Sequence, residues 1–185
     1  DTFSFHHSGE WLFPGGFMCG ICGIHDPSAA APTTEQVSVM ARRLERRGPD
    51  DVGFFAEGPV VLGHRRLSIL DLSSAGHQPM ESACGRYVVS FNGEIYNSVA
   101  LRAELEAQGH RFRTRSDAEV VVHLYEQHGA GFADHLVGMF AFALVDTRAG
   151  GIRVLIGRDP LGIKPMYFTV TSEGFGWASE PKALL

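Results

Sequence analysis

The segment that decides the fold of this 185-residue chain reads Met18-Cys19-Gly20-Ile21-Cys22-Gly23-Ile24. Its small and apolar residues predict a strand over residues 19–26. Removal of Met18 would leave Cys19 with a free α-amino group beside its own thiol. An α-amine has an unperturbed pKa of about 7.7–8.0, so it can accept the thiol proton directly or through water. Cys19 is therefore a candidate nucleophile, and a small buried cysteine is the alternative.

Cys19 and Cys22 also form a C-x-x-C pair. A zinc site would need two further ligands, and a thioredoxin-like site would place the pair at a helix N-terminus rather than in a strand. We therefore expect no metal, and structural roles for Cys22 and Cys84. Three cysteines, an odd number, argue against a disulfide framework and favour the reducing cytoplasm.

The first residues differ from the rest of the chain. Residues 1–17 show no periodicity, and no Lys or Arg precedes Arg42, so the charged region of a signal peptide is missing. We expect residues 1–18 to be a leader or a mis-assigned upstream segment that includes the start methionine. Residues 19–185 are enough for one domain. We further expect residues 181–185 to open a helix, and the chain to be cut from a longer one.

The composition is that of an ordinary globular protein, with 44% hydrophobic and 20% charged residues and a formal net charge of −5. The sequence has no basic stripe of the kind that predicts nucleic-acid binding. The arginines clustered at 42–47 are interpreted as a solvated helix face. The longest apolar run, residues 139–145, is far shorter than the roughly 20 residues of a membrane span. Neither nucleic acid nor membrane is expected as a partner.

Hydrophobic periodicity predicts helices over residues 33–47, 99–108, 116–128 and 132–136. Capping boxes are predicted where Thr33 precedes Gln36 and where Ser116 precedes Glu119. Strands are predicted over residues 52–56, 60–70, 87–91, 139–145, 152–156, 166–170 and 175–178. Because the two long central helices lie between early and late groups of strands, the pattern favours α+β layers over a doubly wound parallel sheet.

Each of three polar features has two possible interpretations, one functional and one purely structural. Asn92-Gly93-Glu94 follows an apolar strand, and is either a hairpin turn or an oxyanion hole built from the Asn92 amide and the Gly93 N–H. Arg66 is either a surface residue or a fork for a carboxylate. Asp117 either complements a helix dipole or pairs with a substrate ammonium.

Together these segments resemble class II glutamine amidotransferase domains, and most closely the N-terminal domain of glutamine-hydrolysing asparagine synthetases. The resemblance covers residue 18 to the end. Its ordered motifs are Met18–Ile24, Arg47-Gly48-Pro49-Asp50, Arg66-Leu67-Ser68-Ile69, Phe91-Asn92-Gly93-Glu94-Ile95-Tyr96-Asn97, Ser116-Asp117-Ala118-Glu119, Gly138-Met139-Phe140-Ala141-Phe142-Ala143, Gly157-Arg158-Asp159-Pro160-Leu161-Gly162-Ile163-Lys164-Pro165 and Ala178-Ser179-Glu180-Pro181-Lys182-Ala183-Leu184.

The resemblance implies a four-layer αββα N-terminal-nucleophile hydrolase fold and a role for each matching residue. Cys19 matches the nucleophile, with its own α-amine as the base. Asn92 and Gly93 match the oxyanion donors. Residues matching the glutamine-binding positions are Arg66 for the α-carboxylate, the backbone of Leu67, Ser68, Ile69 and Leu70 beside it, and Glu94 and Asp117 around the α-amine.

The resemblance also implies the reaction and its partners. Glutamine is hydrolysed to glutamate and ammonia through a thioester on Cys19, and the ammonia passes to a synthetase domain that activates aspartate. That domain carries a Ser-Gly-Gly-x-Asp-Ser loop, which is absent from this sequence, so ATP and Mg²⁺ are expected there and no cofactor is expected here. Alternatives are a different ammonia acceptor and a non-catalytic module that keeps the fold. A homodimer is compatible with either.

Overall fold

The computed structural model describes residues 18–27, 32–67, 76–148, 151–172 and 174–185. Within these ranges the strands are β1 (Gly20–His25), β2 (Asp51–Glu57), β3 (Val60–Arg66), β4 (Met80–Glu81), β5 (Tyr87–Ile95), β6 (Gly138–Asp146), β7 (Arg153–Arg158), β8 (Tyr167–Val170) and β9 (Phe175–Ala178). The α-helices are α1 (Thr34–Arg43), α2 (Ser98–Ala107) and α3 (Asp117–His128), and 3-10 helices span Gly129–His135 and Pro181–Ala183.

The strands form two antiparallel sheets. The first has the order β2-β3-β1-β9-β8 and the second the order β4-β5-β6-β7. β1 lies at the centre of the first sheet, so the residue that precedes it, Cys19, is held at the end of a strand hydrogen-bonded on both sides. In the second sheet β5 and β6 pair over nine residues, and Gly93 lies opposite Phe140.

Three apolar clusters stack these elements into four layers. The cluster between α1 and the first sheet contains Val37, Met40, Ala41, Leu44, Val61 and Ala178. The cluster between the two sheets contains Val60, Leu62, Val88, Ala143, Val145 and Trp177. The cluster beneath α2 and α3 includes Phe91, Leu101, Leu105, Val121, Leu124 and Phe142. The predicted α+β, four-layer αββα arrangement is therefore confirmed.

The two predicted capping boxes had different outcomes. At α1 the Thr33 hydroxyl accepts from the Gln36 N–H and the Gln36 side chain accepts from the Thr33 N–H, as predicted. At α3 the box is wrong. The Ser116 hydroxyl accepts from Ala118, while the Glu119 carboxylate accepts the backbone N–H groups of residues 113 and 114 at 2.7 Å each. Glu119 thus anchors the loop before α3 instead of its cap.

The strand predictions differ from the structure chiefly at their ends. β5 continues through Asn92 and Gly93 to Ile95, and each of these residues is paired with β6. The hairpin-turn interpretation of this tripeptide is therefore wrong. β3 ends at Arg66. The last three residues of the strand predicted over residues 60–70 lie outside the described residues. The expected leader at residues 1–17 lies outside them as well. The predicted C-terminal helix is a single 3-10 turn.

None of the helices in the described ranges is long and apolar enough to cross a membrane.

Candidate active site

A cavity of about 330 Å³ lies where β1, β3 and β5 meet the start of α3. The predicted site residues that line it are Cys19, Arg66, Leu67, Asn92, Gly93, Glu94 and Asp117. These residues come from positions up to about a hundred apart in sequence, so the fold brings together what the motifs predicted separately. The other three predicted positions, Ser68, Ile69 and Leu70, lie outside the described residues.

The thiol of Cys19 lies against the backbone of Leu67. The Leu67 N–H donates to Sγ at 3.4 Å, and Sγ is 3.7 Å from the Leu67 carbonyl oxygen. Burial raises the pKa of the Cys19 thiol, while the Leu67 hydrogen bond and the charges of Arg66 and Arg47 oppose that rise. The thiol is therefore protonated at neutral pH, and a base must remove its proton before it can attack a carbon atom.

Arg47 holds the backbone on both sides of the nucleophile. Its Nε donates to the Cys19 carbonyl at 3.1 Å, and its own carbonyl accepts the Met18 N–H at 3.1 Å. Its guanidinium also forms an ion pair with Glu180 at 3.3 Å. Arg47 is 8% exposed, so its assignment to a solvated helix face is wrong: α1 ends at Arg43, and the chain turns Arg47 inward.

Asn92 supplies a hydrogen-bond donor to the cavity. The residue is only 2% exposed, and among the described residues its Nδ2 has no hydrogen-bond partner. A buried amide without a partner costs free energy unless a ligand or water completes it. The backbone before it is fixed by Gln78, whose Oε1 accepts the Phe91 N–H at 2.6 Å and whose Nε2 donates to the Phe91 carbonyl at 3.0 Å.

Gly93 is required by the close approach of β6. Its φ is +153°, and a Cβ at this position would collide with the Met139 carbonyl oxygen and with Cα of Phe140. A side chain is therefore excluded for both conformational and steric reasons. Gly93 therefore lets β6 pack closely against β5 at the point where β5 lines the cavity.

Charges of both signs line the cavity. Arg66 ends β3, is 8% exposed, and its guanidinium packs directly against Gly76. Asp117 begins α3, and its Oδ2 accepts the Ile95 N–H at 2.8 Å. Burial raises the pKa of the Asp117 carboxyl, while this hydrogen bond opposes the rise. The Arg66 guanidinium and the carboxylates of Asp117 and Glu94 could complement the two charges of an α-amino acid.

Lys164 also lines the cavity; it stands in the matching motif at residues 157–165, but no role was predicted for it. It is 7% exposed, and its Nζ donates to the Met18 sulfur at 3.0 Å. Burial lowers the pKa of Lys164, and the charge of Arg47 lowers it further. Its loop is held by Asp159, whose carboxylate accepts backbone N–H groups from residues 140, 163 and 164. The sequence signal for Lys164 was its place in that motif, which indicates the family but not the contacts of its side chain.

The other two cysteines lie away from the cavity. Cys22 is fully buried in the cluster between α1 and the first sheet, and burial raises the pKa of its thiol to about 12. Its structural role is confirmed. Cys84 is exposed, with its sulfur 3.2 Å from the Ser82 hydroxyl. Of the three thiols, Cys19 is the one that lines the cavity with Arg66, Asn92 and Asp117.

Two stacked antiparallel sheets between helical layers, with a cysteine at the start of a central strand, define an N-terminal-nucleophile hydrolase fold. The chain belongs to the glutamine amidotransferase domain family, whose model matches residues 18–185. The fold is shared with glutamine phosphoribosylpyrophosphate amidotransferase from B. subtilis, at a TM-score of 0.76 and 22% identity over 90% of this chain and 43% of that one.

Curated relatives are closer in sequence. Glutamine-hydrolyzing asparagine synthetase 1 of Bacillus subtilis (strain 168) is 41% identical over 172 residues, 91% of this chain and 27% of that protein. Glutamine-hydrolyzing asparagine synthetase 3 of Arabidopsis thaliana is 45% identical over 90% of this chain and 28% of its own length. Asparagine synthetase B of Escherichia coli (strain K12) is 43% identical over 91% and 30%. The chain thus spans less than a third of these relatives.

Proposed function

We propose that this domain hydrolyses the side-chain amide of glutamine to glutamate and ammonia through a thioester on Cys19. The observation that carries the proposal is the shared cavity. It combines the half-buried thiol of Cys19, the buried Asn92 Nδ2 that has no hydrogen-bond partner among the described residues, and charges of both signs. The family and the names of the relatives point to the same substrate class.

The proposed reaction needs only groups of this chain, glutamine and water. The α-amine of Cys19 accepts the thiol proton, and the thiolate attacks the amide carbon of glutamine. The Asn92 amide and the Gly93 N–H stabilise the oxyanion of the tetrahedral intermediate. The carbon–nitrogen bond then breaks, ammonia leaves with the transferred proton, and a γ-glutamyl thioester remains. Water, deprotonated by the same α-amine, hydrolyses it to glutamate.

Selection of glutamine over simple amides follows from charge pairing. Arg66 binds the α-carboxylate, with the backbone of Leu67 beside it, and Asp117 and Glu94 bind the α-ammonium. An amide that lacks these groups would leave the buried Arg66 and the half-buried Asp117 without substrate partners, which weakens its binding and its reaction.

The proposed base exists only when Cys19 is the first residue. In the printed sequence its nitrogen forms a peptide bond with Met18, and an amide nitrogen does not accept a proton at neutral pH. The reaction therefore requires translation from Met18 followed by methionine removal, or cleavage of the bond between residues 18 and 19. Either event also removes the sulfur that Lys164 contacts.

We further propose that the ammonia serves an asparagine synthetase-type amidation of aspartate. A synthetase domain in cis or in trans carries out that step, and ATP and Mg²⁺ belong to it. The support is the 41–45% identity to glutamine-hydrolyzing asparagine synthetases of which this chain covers less than a third.

Ammonia release from glutamine tests the proposal. Protein that begins at Cys19 is expected to produce equal amounts of glutamate and ammonia, and Cys19→Ala in that protein is expected to produce none. Cys84→Ala, at the exposed cysteine outside the cavity, is the matched control and should keep full activity. Equal rates in the Cys19→Ala and parent proteins would refute the proposed nucleophile.

A further inference from the structure

Two histidines and a glutamate converge on the outer face of α3, away from the cavity. His110 follows α2, and His123 and Glu126 lie one turn apart on α3. The Nδ1 atoms of the two imidazoles are 3.1 Å apart. Glu126 Oε2 is 3.5 Å from Nδ1 of His123 and 3.6 Å from Nδ1 of His110. Three donor atoms thus form a nearly equilateral triangle.

The size of this triangle fits a bound ion. Nitrogen and oxygen ligands lie about 2.0–2.1 Å from a tetrahedral Zn²⁺, so two such ligands are roughly 3.3–3.4 Å from each other. The three measured separations bracket that value. Within the described residues this is the one group of three or more His, Cys, Asp or Glu side chains close enough to share an ion.

The outer ring nitrogen of His110 favours a free lone pair on its Nδ1. His110 Nε2 lies 3.3 Å from Gln127 Oε1, an acceptor that favours a proton on that nitrogen. The His110 Nδ1 lone pair then faces His123 Nδ1 and the Glu126 carboxylate. An acceptor behind a liganding imidazole is also the arrangement that orients histidines at metal sites. On the outer side of His123, Nε2 is 3.9 Å from Glu119 Oε1, beyond hydrogen-bond distance.

We infer that His110, His123 and Glu126 form a binding site for one divalent transition-metal ion of the zinc type. Two imidazoles and one carboxylate suit Zn²⁺ far better than Mg²⁺ or Ca²⁺, which prefer oxygen ligands. The bound ion would tie the segment after α2 to α3. That segment runs into Ser116 and Asp117, so the ion would brace the loop that carries Asp117 into the cavity, without taking part in the chemistry there.

Calorimetric titration with ZnCl₂ tests the site. The parent protein is the full chain with His6→Gln, His7→Gln, Cys19→Ser and Cys84→Ser, which removes competing accessible thiols and the adjacent histidine pair. We expect one Zn²⁺ to bind per chain and to raise the melting temperature, and we expect MgCl₂ to give neither effect. His123→Gln should weaken binding by at least about 10-fold.

Two further variants keep the test decisive. Glu126 is half-exposed, so Glu126→Gln leaves the packing of α3 intact. This variant should weaken Zn²⁺ binding even if His123→Gln folds poorly. His128→Gln changes an exposed histidine on the same helix, stacked on His135 at 4.0 Å between centroids, and should bind as the parent does. Absence of a saturable Zn²⁺ site, or equal affinity in the parent and Glu126→Gln, would overturn the inference.

Discussion

Burial has opposite consequences for two groups that line the cavity, the Cys19 thiol and the Asn92 amide. It raises the pKa of the Cys19 thiol, which makes a nearby base essential. It also leaves Asn92 Nδ2 without a hydrogen-bond partner among the described residues, and a preorganised donor of this kind forms a stronger hydrogen bond in a dry site than in solvent. The thiol needs activation, whereas the amide is ready to stabilise negative charge.

Asn92→Ala should therefore lower kcat more than it raises KM. Loss of one oxyanion donor typically costs about 10²–10³-fold in kcat, because the donor acts on the intermediate and not on the bound substrate. Steady-state kinetics of glutamine hydrolysis by protein that begins at Cys19 would measure this. Asn97→Ala is the control, since Asn97 lies outside the cavity and bonds to the backbone of residues 135 and 137. Unchanged kcat in Asn92→Ala would contradict the assigned role.

At the residue scale the sequence predicted the members of the cavity better than their supports. Cys19, Arg66, Asn92, Gly93 and Asp117 stand in recognisable motifs, and all of them line it. Arg47 and Lys164 stand in matching motifs too, but the roles of Arg47, Gln78 and Lys164 were not predicted, because they depend on tertiary contacts. A charge in an arginine cluster or a glutamine in a loop has no periodicity that reveals what it touches.

His64 links the two sheets and is the element-scale feature most sensitive to pH. It lies on β3, and its Nδ1 is 3.0 Å from the Ser90 hydroxyl on β5. Its Nε2 is buried and has no partner within the described part of the chain. Burial, assisted by the charges of His77 and Arg66, lowers its pKa to about 3. The folded protein therefore keeps this imidazole neutral.

Acid should destabilise the fold through His64. Because its folded-state pKa lies below the ordinary value of 6.5, the contribution is complete above pH 6.5 and is lost as the pH falls towards 3. The free energy of unfolding should fall by up to about 1.4 kcal/mol per pH unit from this group. Urea unfolding at pH 5 and pH 7 would show it, with a smaller difference in His64→Gln and an unchanged one in His135→Gln. Identical pH dependence in wild type and His64→Gln would contradict the argument.

Periodicity predicted the elements well and their ends less well. The strand over Phe175–Ala178 and the cap at Thr33 match the structure. β5 runs past its predicted end because β6 pairs with it there, and cross-strand pairing overrides the local turn preference of Asn-Gly. β4, with two residues, is too short to produce a pattern.

At the scale of the whole molecule, the layering explains how distant motifs form one site. β1 lies centrally in the first sheet, and β5 lies in the sheet packed against it, with α3 on the far side. The ends of β1, β3 and β5 and the start of α3 therefore open on the same cavity. The α+β class was predictable from element order, while the packing of the two sheets came only from the family resemblance.

The labelling of protein that begins at Cys19 by the glutamine analogue diazo-oxo-norleucine tests the central claim most directly. Peptide mapping by mass spectrometry reads which thiol has reacted. We predict one adduct per chain on Cys19, none on Cys22 or Cys84, and protection by excess glutamine. An adduct on Cys22 or Cys84, or labelling of Cys19 that glutamine does not prevent, would contradict a glutamine-binding cavity built around this nucleophile.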